Sequence, residues 1–396
     1  MHLKSISLKK TQSNQKIKLL FRHRSMEMGG VEKVILGLFE NLDRNKFDIT
    51  LIVSLYQGEL RDAVPSHIHY IKANKGKEDF SKNPLIHKIQ LFTRGLKIKF
   101  FENFPGLFDK IYLKKEFDIE IASSYTDFSP VLNSSNKKSK KLGWFHTDIS
   151  SKGLKPILSR LLGQITQFDY FIFGSQQAND IFVSTYPSIK LPENKVILNA
   201  IPIEEIKKNA EEFEIEKSED IPVFISVGRL HNRKGHHVLA EAHKKLIDEG
   251  FLHKIMIIGD GEERENLEKQ IAELQIKNSF QLLGTKMNPY PYIKNSDFYI
   301  MPSRSEGWPL IIAETLILQK PIIATNVGGI SEMITHKKNG YLVEYDVESI
   351  MSGMKEFLSN KTTVANIREE LKNSEEQFDN QKIYDSVEEI LLNLLK

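Results

Sequence analysis

Asp297-Phe298-Tyr299-Ile300-Met301-Pro302-Ser303-Arg304-Ser305-Glu306-Gly307-Trp308-Pro309-Leu310-Ile311-Ile312-Ala313-Glu314 passes from an apolar run through a polar turn and back to an apolar run. The first run reads as a buried parallel strand. Leu310 to Leu318 reads as a helix, and Pro309 suits its first position, where a missing N–H would have been unpaired anyway. The helix N-terminus then points into the loop with free N–H groups and a partial positive charge, which is a seat for phosphate. Glu306 and Glu314 cannot hold phosphate, because like charges repel. They can accept hydrogen bonds from hydroxyls on either side of it. Phosphate flanked by two polyols has the outline of a nucleotide sugar, ribose on one side and hexose on the other.

The same alternation extends in both directions. Upstream, Val223 to Gly228, Lys254 to Ile258 and Phe280 to Leu283 read as strands. They are separated by helical patterns over Gly235 to Glu249 and Glu262 to Leu274. Pro321 to Ala324 continues the series, and helices close the chain. The first half repeats the alternation, with strands expected at Ile17 to Phe21, Phe47 to Leu55, His67 to Ile71, Asp118 to Ala122, Lys141 to Phe145, Tyr170 to Phe173 and Lys195 to Leu198. Ser175 is placed to cap a helix over Gln176 to Ser184. Strand and helix in alternation imply α/β architecture with parallel sheets covered on both faces. Asn209 to Asp220, charged and poor in apolar residues, reads as a linker.

Composition narrows the function classes. The chain has 396 residues and no cysteine, so it holds no disulfide framework and no thiolate metal site. No run of eighteen apolar residues occurs, and the polar, basic start lacks the apolar segment of a secretory signal. Net charge is +3, but residues 1–200 hold 31 Lys and Arg against 19 Asp and Glu, and the remainder holds 24 against 33. Such a split suggests two domains with different partners. Leu85 to Lys115 mixes Leu, Ile and Phe with Lys and Arg, as a helix lying on an anionic membrane does. It fits equally a helix packed on the sheet with its lysines in solvent. No recognised nucleic-acid motif accompanies the basic half.

Glu306 and Glu314 are separated by seven residues, and the pieces around them come in order: Gly228-Arg229-Leu230 with Lys234-Gly235, Gly259-Asp260-Gly261, Leu283-Gly284, Pro302 to Gly307, Val327-Gly328-Gly329-Ile330-Ser331-Glu332, and Asn339-Gly340. On these residues the chain resembles the retaining glycosyltransferases of family 4, whose signature is Glu, seven residues, Glu. The resemblance is dense in the C-terminal half and thinner before it, at Gly29-Gly30-Val31-Glu32, His146 and Asn199. It implies the GT-B fold, two Rossmann-like parallel-sheet domains facing each other across a cleft. Residues 1–202 would form the acceptor-side domain, with 1–15 disordered. Residues 203–377 would bind the nucleotide sugar, and a helix in 378–396 would cross back.

The resemblance also implies roles. Glu314 grips the ribose diol, Glu306 the sugar hydroxyls, and Arg229 and Lys234 the pyrophosphate, whose growing charge two cations can stabilise. Gly30 brings backbone N–H groups toward the donor, and Lys286 lies in the loop that holds the nucleobase. Gly307, Trp308, Pro309 and Leu310 complete the donor-binding set. His146 touches the transferring sugar or the acceptor, with Asp148 placed to orient it. Each has a plainer reading: solvated basic residues at Arg229 and Lys234, a tight turn at Gly29-Gly30, a structural histidine at 146. The expected activity is retaining transfer of a hexose or N-acetylhexosamine from a UDP-sugar to a glycan or lipid-linked acceptor. The setting would be cell-surface polysaccharide assembly, in the cytoplasm at the inner face of the plasma membrane. No cofactor, metal or nucleic acid is expected; no Asp-x-Asp metal anchor occurs in the chain. A nucleotide-sugar 2-epimerase and a non-catalytic partner subunit are the alternatives.

Overall fold

The structure, a computed structural model, describes residues 15–147, 149–150, 152–215 and 221–396. Asp148, the first fourteen residues and the end of the expected linker therefore lie outside the described residues.

Two parallel sheets organise the chain. The first contains β1 (Ile17–His23), β2 (Phe47–Val53), β3 (His69–Lys72), β4 (Ile119–Ala122), β5 (Lys140–Phe145), β6 (Tyr170–Phe173) and β7 (Glu193–Val196), in the order β3-β2-β1-β4-β5-β6-β7. The second contains β8 (Val223–Val227), β9 (Lys254–Ile258), β10 (Phe280–Leu282), β11 (Phe298–Met301), β12 (Ile322–Thr325) and β13 (Tyr341–Val343), in the order β10-β9-β8-β11-β12-β13. By packing, the chain divides into two compact units: the residues up to Gly143 with Leu391–Lys396, and Trp144–Ile390. The α/β class and the parallel sheets are as the alternation of the sequence required, and the two Rossmann-like sheets are as the resemblance implied.

The strands inside each sheet are largely buried, as expected where helices cover both faces. All four residues of β4, β6, β11 and β12 are buried. Tyr170–Phe173 and Phe298–Met301 fall where their apolar runs place them. Ser175 caps the helix Gln176–Thr185, its hydroxyl accepting from the Ala178 N–H at 3.1 Å. Pro309 stands one residue before its helix, Leu310–Ile317, rather than inside it. The strand β13 had no signal of its own, because three residues are too few to show alternation. Leu85 to Lys115 becomes two helices, Pro84–Asn103 and Pro105–Tyr112, interrupted where Pro105 cannot donate to the helix before it.

In each sheet the strand order reverses beside the first strand, between β1 and β4 and between β8 and β11. Open α/β sheets leave a crevice at that reversal, outside the carboxyl ends of the strands. The loops after β8 and β11 therefore emerge side by side, although about seventy residues separate them in sequence.

Candidate active site

The loop after β8 tightens into a single turn, Asn232–Lys234, which ends at Gly235 with φ +71°. A Cβ on Gly235 would lie 1.9 Å from the Pro302 carbonyl oxygen, so only glycine permits the close approach of this turn to the loop after β11. The Arg304 N–H closes the junction by donating to the Arg233 carbonyl at 2.7 Å.

This approach brings three charged side chains together. Lys234 Nζ donates to Glu306 Oε1 at 2.7 Å, and Arg233 Nη1 donates to Glu306 Oε2 at 3.1 Å and to the Ser305 carbonyl at 2.6 Å. Glu306 is only 7% exposed. Burial alone would push its carboxyl up, but the neighbouring Lys234 and Arg233 charges outweigh that and hold it below its ordinary value. Glu306 is thus an ionised carboxylate with a cation on each oxygen.

Glu314 lies in the helix Leu310–Ile317 and is 1% exposed. The Tyr299 hydroxyl reaches back to the Val227 carbonyl at 3.4 Å. Burial pushes its ionisation up, and the charges of Glu314 and Glu306 push it further. Tyr299 therefore stands within the field of both glutamates.

The other expected residues divide. Gly307 lies against His146: a Cβ there would fall 2.1 Å from the His146 carbonyl oxygen. The imidazole of His146 stacks on Trp144, with centroids 5.4 Å apart and an 18° tilt. Trp308 is buried and meets Phe378 edge-on at 6.4 Å. Its indole N–H has no hydrogen-bond partner among the described residues. Lys286 extends its ammonium over the Tyr292 ring at 5.8 Å. Arg229 is not one of the two cations bonded to Glu306. It is two-thirds exposed and pairs with Glu262, Nε to Oε2 at 3.4 Å. Glu332 caps the helix Gln176–Thr185, accepting from the N–H groups of Gln176 and Gln177 at 3.2 and 2.8 Å.

Sequence reasoning passed over Arg233. Its signal was its place in the Asn232–Lys234 turn, where two adjacent basic side chains can both reach one acceptor. Among the described residues, no group of three or more His, Asp or Glu is placed to hold a metal.

The other unit contains Gly30, which opens the helix Gly30–Asn41. Beside it lies a second charged cluster that periodicity did not reveal. His23, buried at the end of β1, presents Nδ1 to Asp127 at 3.1 Å and Nε2 to Glu32 at 3.3 Å. Only the doubly protonated ring can donate to both carboxylates. Burial would lower its pKa, but Asp127 and Glu32 together raise it to about 10. The cluster sits at the reversal between β1 and β4.

Residues 207–377 match the family model described as glycosyl transferases group 1. An N-acetylgalactosamine-N,N'-diacetylbacillosaminyl-diphospho-undecaprenol 4-alpha-N-acetylgalactosaminyltransferase of Campylobacter jejuni is 26% identical over 363 residues, 91% of this chain and 95% of that protein. An uncharacterized glycosyltransferase of Methanocaldococcus jannaschii is 26% identical over 314 residues, 74% of this chain and 71% of that one. Among solved structures, Anabaena HepE in complex with UDP and glucose gives a TM-score of 0.72 at 19% identity, covering 95% of this chain and 99% of that one. Sucrose-phosphate synthase from Thermosynechococcus elongatus gives 0.73 at 15% identity, covering 96% and 99%. At such identities the structures establish the fold, that of GT-B glycosyltransferases.

One prediction concerns His23. A pKa raised from 6.5 to about 10 contributes stability that is fully present below 6.5 and is lost as pH rises through about 10. Denaturant titrations across that window should show the wild type losing stability steadily. His23→Gln should be less stable at neutral pH and nearly flat over the same range.

Proposed function

We propose that this protein is a GT-B glycosyltransferase that moves a hexose or N-acetylhexosamine from a UDP-sugar, with retention at the anomeric carbon. The acceptor is a hydroxyl of a glycan or lipid-linked saccharide, in cell-surface polysaccharide assembly at the inner face of the plasma membrane. The observation that carries this reading is Glu306, buried and ionised between Lys234 and Arg233 at the reversal of the second sheet. The match of residues 207–377 to the group 1 glycosyl transferase model supports it. So do the relatives, two of which are named for transfer to diphospho-undecaprenol-linked sugars.

In this reading 203–377 is the donor domain and 1–202 the acceptor-side domain. An ionised carboxylate accepts strong hydrogen bonds from hydroxyls, so Glu306 orients the donor sugar and Glu314 the ribose diol. Lys234 and Arg229 take the pyrophosphate, and Arg233 adds a third cation at the same edge. As the glycosidic bond breaks, negative charge grows on the leaving phosphate, and fixed cations there lower the barrier. Glu306 is not suited to attack the anomeric carbon, because each of its oxygens already accepts from a cation. The leaving phosphate instead helps to deprotonate the acceptor on the same face, which preserves the configuration. Trp308, Gly307, Pro309 and Leu310 shape the donor side, Lys286 borders the base, and His146 contacts the sugar or acceptor.

Incubation with a UDP-sugar alone, and then with a saccharide acceptor added, tests the reading. Transfer should need both. Conversion of the donor without acceptor would make the protein an epimerase, and no turnover with any donor would make it a non-catalytic subunit.

Two predictions accompany it. Glu314→Gln should weaken binding of the nucleoside diphosphate about ten- to hundredfold, the value of a hydrogen bond to a charged acceptor. Glu306→Gln should spare that affinity and lower turnover; equal losses in calorimetry would refute the division of roles. Activity should also survive EDTA, since cationic side chains serve the pyrophosphate. Loss in chelator that Mn²⁺ or Mg²⁺ restores would contradict it.

A further inference from the structure

The helix Pro84–Asn103 has no buried residue along its twenty positions. Its half-buried residues are His87, Gln90, Arg94, Ile98 and Phe101. At about 100° per residue these fall on one narrow face, which is the side resting on the unit. Arg94 donates there to Gln57 and to the Lys75 carbonyl at 3.3 and 3.1 Å. Phe101 packs on Phe108 and Tyr112 of the following helix. The face about half a turn away holds Leu85, Ile89, Phe92, Leu96 and Phe100 within roughly 80° of arc. Leu85, Ile89 and Phe92 are 73%, 62% and 67% exposed. Phe104, Leu107 and Ile111 extend this exposed apolar ridge through the joint and the second helix. An ordinary surface helix points its apolar stripe at the core; this one carries an apolar stripe on the side away from it.

Charge identifies what covers the ridge. Residues 82–115 hold eight Lys and Arg against two Asp and Glu. One of those acids, Asp109, is buried against Arg22 at 2.9 Å. Lys88 and Lys99 border the ridge, and Lys82, Lys110 and Lys114 are exposed in the same stretch of chain. A second copy of this helix pair would bring like charges together, whereas an anionic lipid surface neutralises them while taking up the apolar side chains. Lys97 and Lys115 do not belong to this set, since they reach the Ala73 carbonyl at 3.3 Å and Asp48 at 2.8 Å.

We infer that the helix pair 84–112 lies flat in the interface of an anionic leaflet, with Leu85, Ile89, Phe92, Leu96 and Phe100 inserted at the acyl boundary and Lys88 and Lys99 at the headgroups. It does not span: among the described residues no helix is long and apolar enough to cross a membrane. The inference deepens the membrane side of the reading above and is independent of the transfer chemistry.

The test uses the full chain without donor. Wild-type protein should sediment with vesicles of phosphatidylcholine and phosphatidylglycerol, more weakly as salt rises, and little with phosphatidylcholine alone. Phe92→Gln with Leu96→Gln changes only exposed positions. It should keep the far-UV spectrum and the transfer rate to a water-soluble acceptor, yet lose vesicle binding by about tenfold or more. Lys88→Glu with Lys99→Glu should lose the preference for anionic lipid. Because the chain has no cysteine, Leu96→Cys bearing an environment-sensitive dye reports depth directly. Its emission should shift to the blue on anionic vesicles, while the same dye on Lys361→Cys should not respond. Unchanged binding by the Phe92 and Leu96 variant, or a dye at 96 that stays in water, overturns the inference. So does a wild-type dimer that the variant dissolves without any vesicle binding. None of these results would touch the transferase reading, which the donor and acceptor assay decides separately.

Discussion

A carboxylate held between two cations organises the second sheet's carboxyl edge. Glu306 is buried, and a buried charge without partners would cost several kcal/mol. Lys234 and Arg233 remove that cost, and they reach Glu306 only because Gly235 lets the β8 turn come within contact of Pro302. Turn, glycine and ion pair therefore depend on one another. A side chain at 235 would push the loops apart, and separated loops would leave Glu306 uncompensated.

The pairing also shapes the chemistry proposed for the site. Its carboxylate is charged, fixed in orientation and already bonded on both oxygens, which favours holding hydroxyls over attacking carbon. Its cations sit where an incoming pyrophosphate would find positive charge in place. The first sheet shows a related device at its own reversal, where His23 is a buried cation between Asp127 and Glu32. The signs are inverted: one cation between two anions there, one anion between two cations here.

Much of this was legible in the sequence, for definite reasons. Tyr170–Phe173 and Phe298–Met301 are continuous apolar runs bounded by turns, and both are strands. Pro309, Glu306 and Glu314 stood out because a proline before an apolar helix, with one carboxylate in the loop ahead of it and one inside it, has few structural purposes. Arg233 did not stand out, because a basic residue next to another basic residue carries no period; only the three-residue turn shows that both can reach Glu306. His23 was invisible for a different reason. Its partners lie 9 and 104 residues away, so the cluster exists only after β1 and β4 pair. The apolar ridge on 84–112 was readable as composition, but which side faced outward depended on the packing of Arg94 and Phe101. Arg229 remained ambiguous in the sequence, and in the structure it is paired with Glu262.

The most direct test of the central interaction is an NMR titration of the Glu306 side-chain carboxyl in the wild type and in Lys234→Met. The account requires the wild-type group to titrate below 4.5 and to move upward when Lys234 is lost, with Arg233 still in place. A wild-type value above 4.5, or one that Lys234→Met leaves unchanged, would show that Lys234 does not hold Glu306 ionised, and the organisation of the site described above would fail with it.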